Sequence, residues 1–216
     1  CTENCDDGVL FDPETIVTSI ISPQNDYQGV QIKFKGVIDR SKVHMRVDIG
    51  FSDIVHPDPV SFSFPTILEM PAPLLLGYTQ ESVVAEKVDA MLQLGELNSR
   101  MKDFYDIWYL SHQIPFKSKS LVTALKITFN KRGTLLPSDP IVFQEGFEKN
   151  RLKLEQWTHF YQQNRLPDIP SFSTVISRLK TLLVPVLHSI RSGQSIDGIW
   201  SPIHTRWLLN SEDSAP

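Results

Sequence analysis

Lys87 stands at the centre of an apolar stripe, where a lysine must be paired, reach a cavity or run its stem out to water. With 3.6 residues per helical turn, Val83, Val84, Ala90, Met91 and Leu94 form that stripe. Asp103 shows the same anomaly with the opposite sign. Ile107 at i+4 and Leu110 at i+7 place it on the side of core residues, and Asp106 lies one turn on, at the flank. Asp48 is the third oddity, at the end of a strand whose other face is apolar, beside Arg46 and His44. Each has a plain explanation. Lys87 can snorkel to solvent, Arg100 can pair with Asp103 and Lys102 with Asp106, and Asp103 suits a helix N-terminus. Asp48 can lie on the wet face of an antiparallel sheet. Taken together, a strand-end carboxylate, a helix lysine and a helix carboxylate suit phosphoryl chemistry. The carboxylate helps hold a divalent metal and the lysine neutralises triphosphate charge. Nucleotidyl transfer asks a protein mainly for positioning and charge stabilisation.

The elements that must position these groups follow from the periods. Val30, Ile32 and Phe34 alternate with Gln31, Lys33 and Lys35 after a turn-like Tyr27-Gln28-Gly29. Val43, Met45, Val47 and Ile49 alternate with His44, Arg46 and Asp48, and Asp39 to Lys42 fits the hairpin loop between the runs. His56 to Pro73 carries five prolines and is expected to run as extended edge segments. From Thr79 the period becomes helical. Thr79 caps a helix over 80–95 stopped by Gly95, and Asn98 or Ser99 caps one over 100–112. Further helices are expected at 119–131, 143–164 and 172–191, with Pro185 kinking the last. The tail from Gly193 reads as irregular, with Trp200 and Trp207 as anchors and 211–216 disordered. The class is α+β, with a strand-bearing part over 1–114 and a helical region over 115–210.

Composition excludes little beyond membrane spans and disulfide scaffolds. Of 216 residues, 41% are hydrophobic and 21% charged, ordinary for a globular chain. No run approaches the ~18 uncharged apolar residues of a membrane span, and no signal peptide opens the chain. Cys1 and Cys5 are the only cysteines, which fits a reducing, cytoplasmic setting; a metal pair would need other ligands. Residues 1–114 hold 8 Lys+Arg against 17 Asp+Glu, a balance of −9, and residues 115–216 hold 13 against 8, a balance of +5. That asymmetry suggests an acidic part joined to one that could face a polyanion.

The run from Tyr78 to Met91 (YTQESVVAEKVDAM), followed by Asn98 to Asp106 (NSRMKDFYD), resembles the AbiEii-type nucleotidyltransferase toxins. Arg46 to Phe51 (RVDIGF) looks like that family's upstream strand motif. The resemblance covers residues 8–112 well and beyond them rests on helical character. It implies a polymerase-β-like nucleotidyltransferase core, partial here, with a helical C-terminal region. It further implies Mg²⁺-dependent transfer of a nucleotide from an NTP to an acceptor such as tRNA, and a cognate antitoxin. Carried over, Asp48, Lys87, Asp103 and Asp106 form the catalytic set. Lys87, Glu81, Glu86 and Arg100 form the nucleotide-binding set, and Asp48 is the metal ligand.

One departure stands out. The family's glycine turn and Asp-x-Asp metal pair should precede Asp48, and no such pair occurs here. Asp12-Pro13-Glu14 has carboxylate spacing but lacks the glycine turn. Truncation ahead of Cys1 accounts for this, in keeping with a first residue other than methionine, and the polypeptide alone is expected to be inactive. Two other readings stay open. A non-catalytic relative could bind nucleic acid or a partner through Lys126, Lys131, Arg132, Lys149, Arg151 and Lys153. A metallohydrolase could use His44, Asp48 and His56, though that spacing is no standard ligand set.

Overall fold

Period-two alternation opens the chain and helical periodicity follows, and the structure keeps that order. The computed structural model describes residues 8–21, 29–51, 56–166 and 170–209. Contacts divide the chain into two units, Cys1–Asp53 and Ile54–Pro216. Cys1, Cys5, the turn residues Tyr27 and Gln28, and the tail 211–216 lie outside the described residues.

The first unit is an antiparallel sheet of β1 (Val9–Ile21), β2 (Gly29–Ile38) and β3 (Ser41–Gly50), in that order. The expected hairpin joins β2 and β3. Its turn is narrower than expected, Asp39-Arg40, because β3 already begins at Ser41. Asp39 takes φ 51°, a left-handed conformation that aspartate tolerates better than most residues. Val43, Met45, Val47 and Ile49 stand opposite Gly36, Phe34, Ile32 and Val30, so one face is apolar across both strands. Every residue of β3 is nevertheless exposed. The long β1 escapes the alternation test because Asp12, Glu14 and Thr15 interrupt it. A register shift between Asp12 and Val17 absorbs them. There the Glu14 amide donates to Asp12 Oδ1 (3.1 Å) and the Lys35 amide to Thr15 Oγ1 (2.9 Å).

In the second unit the proline-rich stretch contributes β4 (Val60–Ser63), which pairs antiparallel with β5 (Leu74–Gly77). Helices α1 (Gln80–Leu94), α2 (Met101–Gln113), α3 (Ser118–Arg132) and α5 (Phe172–Ser192) stand within one residue of expectation at each end. Thr79 caps α1 by accepting from the Ser82 amide at 3.3 Å, and Gly95 ends it at φ 50°. Two expectations need correction. The fourth helix, α4, covers Arg151–Asn164 and not 143–164. Short 3₁₀ turns at Ile141–Phe143 and Phe147–Lys149 precede it, broken by Gly146 at φ 93°. The true cap is Asn150, whose Oδ1 accepts from the amides of Leu152 (2.9 Å) and Lys153 (3.4 Å). The tail after Gly193 is not irregular either: β6 (Gly198–Ser201) pairs with β7 (Arg206–Leu209).

The core of this unit draws on both sides of residue 114. Val84, Val88 and Met91 of α1 and Phe104 and Ile107 of α2 pack with Leu121, Leu125, Trp157, Phe172, Leu179 and Leu183. Phe172 sits 5.5 Å from Phe104 and 5.4 Å from Trp157, ring centre to ring centre. The tryptophan anchors are as expected. Buried Trp200 donates from Nε1 to the Ser111 carbonyl (2.8 Å), and Trp207 to that of Leu182 (2.9 Å). Among the described residues no helix is long and apolar enough to cross a membrane.

Candidate functional site

Lys87, Asp103 and Asp106 meet because α1 and α2 are joined by a short, internally bonded elbow. Gly95–Leu97 forms one 3₁₀ turn. Asn98 follows, fully buried, and its Oδ1 accepts from the Arg100 amide at 2.8 Å. Lys153 of α4, 1% exposed, donates from Nζ to the carbonyls of Glu96 and Asn98, each at 2.7 Å. A buried ammonium on two backbone carbonyls fixes where α2 starts, and so which of its faces meets α1.

Across that elbow Lys87 Nζ lies 2.7 Å from Asp103 Oδ1 and 2.7 Å from Asp106 Oδ2. The side chains are 18%, 15% and 22% exposed. Burial alone would lower the Lys87 pKa. The hydrogen bonds and charges of the two carboxylates outweigh it and hold the ammonium above the ordinary lysine value. Both simple pairings expected from sequence coexist with this one: Lys102 reaches Asp106 at 2.6 Å and Arg100 approaches Asp103 at 3.9 Å. Three cations therefore surround two carboxylates. Lysine has three N–H donors, so two carboxylate bonds leave one for a third acceptor.

The centre of the α1 stripe needs correcting. Val84, Ala90 and Met91 of the expected stripe are buried, as are Ala85 and Val88 beside it, whereas Val83 is half-buried and Leu94 is 39% exposed. Lys87 therefore sits at the flank of the buried face, which is why it can meet α2. The fully buried ionisable group of this helix is Asp89, 0% exposed, which sequence reasoning missed although the buried Ala85 lies at i−4. Asp89 accepts from Thr134 Oγ1 and, at 3.0 Å, from Gln93 Nε2, and Arg132 approaches at 3.5 Å. Burial raises its pKa against those three lowering influences.

The remaining residues are distributed as follows. Glu86 pairs with Arg132 of α3. Glu81 lies in the first turn of α1. Asp48 belongs to the other unit, where it accepts from Gln31 Nε2 at 2.9 Å and stands 3.5 Å from Arg46. Asp12 and Glu14 are taken up in the β1 bulge. Among the described residues no three His, Cys, Asp or Glu groups come together to hold a metal ion, so His44, Asp48 and His56 gain no support as a metal centre. The basic set of the nucleic-acid reading is not uniformly solvated. Lys153 is buried, Arg132 is engaged with Glu86 and Asp89, and Arg151 pairs with Glu155 at 2.8 Å.

Neither the curated proteins nor the solved structures gave a match. The sequence profile described as "Nucleotidyl transferase AbiEii toxin, Type IV TA system" matches residues 1–178, a span that holds β1 to β5, α1 to α4 and the Lys87–Asp103–Asp106 contact. With most of its length matched in this way, the chain belongs to the AbiEii nucleotidyl transferase toxin family of type IV toxin–antitoxin systems.

Proposed function

We propose that this chain forms the triphosphate-binding side of a nucleotidyltransferase centre, which moves a nucleotide from an NTP to the 3′ end of an RNA such as tRNA. The observation that carries this reading is the Lys87 ammonium, kept charged by two carboxylates and flanked by Arg100 and Lys102. Such an ammonium neutralises charge that develops on a transferring phosphoryl group, and its third N–H can reach a phosphate oxygen. Asp103 and Asp106 then orient Lys87; they do not themselves meet the anion. Glu81 and Glu86 are carboxylates and add no phosphate affinity, and Glu86 is spent on Arg132. The family implies a cognate antitoxin as a partner of the whole system.

Mg²⁺ is the metal this reaction class uses, and the described residues do not fit a site for it. Asp48 is a carboxylate beside an arginine, and among the described residues no three His, Cys, Asp or Glu groups come together. Two-metal chemistry needs several carboxylates converging on one point. We therefore infer that the 216-residue polypeptide by itself turns over no NTP. Calorimetry with NTP and Mg²⁺ on the wild type and on Lys87→Ala, each checked for folding, tests the binding reading. Binding that disappears in the variant supports it; equal binding by both would sink it. Mg²⁺-dependent incorporation of labelled nucleotide into RNA by this polypeptide would overturn the inference of inactivity.

A further inference from the structure

Beside Asp103 a cleft of about 580 Å³ separates α4 from the end of the elbow and the first turn of α2. Its α2 wall runs from Ser99 to Asp103. Its α4 wall is Gln156, His159, Phe160 and Gln163. These four follow the i, i+3, i+4, i+7 spacing of one helix face. The neighbouring Trp157 is 4% exposed and belongs to the core, whereas His159 and Gln163 are exposed. On this face Phe160 packs against the core, whereas the exposed His159 and Gln163 are residues that packing does not require.

We propose that this cleft takes the nucleoside end of the same NTP, and that Gln156 and Gln163 read its base. The inference rests on the triphosphate reading of Lys87. Asp103 is the shared wall: one of its oxygens holds Lys87, and the residue lines the cleft. A triphosphate engaged at Lys87 carries its ribose and base covalently, so the nucleoside must lie in an adjoining space. The lining suits a base better than a further phosphate. Phe160 offers an aromatic surface, with its own ring supported 5.8 Å from Tyr105 and 5.5 Å from Trp157. Each glutamine amide brings a paired donor and acceptor, the complement of a base edge, with Gln156 Oε1 also accepting from Lys153 Nζ at 3.5 Å. The cations, Arg100 and Lys102, line the same cleft and pair with the two carboxylates that hold Lys87, so the phosphates would enter beside them.

The test compares the four NTPs with inorganic tripolyphosphate. Binding to the full chain is followed by calorimetry and by saturation-transfer NMR of the base protons. The proteins are the wild type, the Gln156→Ala/Gln163→Ala double variant and Lys87→Ala, each checked by circular dichroism for an unchanged fold. The expected result has three parts. Wild type binds one NTP at least ~5-fold more tightly than the others, with saturation transfer to that base. The double variant keeps tripolyphosphate binding and loses the preference. Lys87→Ala loses tripolyphosphate. If wild type binds all four NTPs and tripolyphosphate alike, or the double variant keeps the preference, the cleft assignment is overturned and Lys87 stands. If Lys87→Ala binds as wild type does, or nothing binds at all, the triphosphate reading fails and takes the cleft assignment with it.

Discussion

Replacing Lys87 with methionine keeps the stem and removes the charge, leaving Asp103 and Asp106 facing α1 without their shared partner. Removing one member of a fully buried ion pair costs ~3–5 kcal/mol, and a fully exposed pair contributes ~0.2–1 kcal/mol. Here the three side chains are 15% to 22% exposed, and Lys102 and Arg100 remain to compensate. The loss should therefore fall between those limits, at about 1.5–2.5 kcal/mol. For a chain of this size that lowers Tm by roughly 3–10 °C. All four tryptophans lie beyond residue 54, so tryptophan fluorescence follows the unit that carries the site. A double-mutant cycle with Asp103→Asn should return a coupling of about 1 kcal/mol, since the pair touches directly. The pH dependence has a definite sign. Lys87 has its folded pKa raised above the ordinary 10.5, so its contribution is complete below 10.5 and disappears as pH rises through the folded value. The gap between wild type and variant should stay level from about pH 7 to 9 and close only in stronger alkali. A variant melting within about 1 °C of wild type, or additive single losses, would refute the reasoning.

Two further perturbations reach the supporting structure. Asp89 is an acid whose folded pKa is raised above 3.8 by burial, so its native state binds a proton more readily than the unfolded chain. Its contribution is greatest below 3.8 and is lost as pH rises through the folded value. Asp89→Asn should lie within about 1 kcal/mol of wild type at neutral pH, and wild type should gain on it as pH falls towards 4; parallel urea midpoints across that range would refute the shift. Arg178 donates to Ser111 Oγ (2.7 Å), the Ser111 carbonyl (2.8 Å), the Pro202 carbonyl (2.9 Å) and Thr205 Oγ1 (2.6 Å). Arg178→Leu should cost about 3–5 kcal/mol and red-shift the tryptophan emission as the β6–β7 hairpin loosens; an unchanged spectrum would show that the hairpin holds without it.

What the sequence made legible follows from how local each cause is. The ends of α1 are set by Thr79 and Gly95, both readable by residue type, and the hairpin of β2 and β3 by alternation over adjacent runs. The start of α4 is misread because Gln144 to Lys149 carry a helical pattern of polar and apolar residues. Gly146, tolerated inside many helical patterns, breaks it by taking positive φ. The β6–β7 hairpin is too short for its alternation to register, and it is held by distant partners: Ser111, Leu182 and Arg178. The site residues Lys87, Asp103 and Asp106 show as anomalies on their own helices. That they meet depends on the elbow, which Lys153 fixes from more than 50 residues away. The same lysine reads from sequence as one of a basic set, because nothing local tells a buried ammonium from a solvated one.

A lysine held by two carboxylates is overcompensated if the three are taken alone, and an anion arriving there would meet a net negative charge. Arg100 and Lys102 reverse that sign, and the N-terminal dipole of α2 adds to them. The carboxylates therefore do two things at once. They keep Lys87 protonated and fixed in place, and they draw Lys102 against Asp106, onto the same oxygen that Lys87 uses. A phosphate that took the third N–H of Lys87 would meet Lys102 as a neighbour, since both ammonium groups lie on Asp106 Oδ2. On this reasoning affinity for an anion depends on Lys102 as well as on Lys87, although of these two lysines only Lys87 looks out of place on its helix.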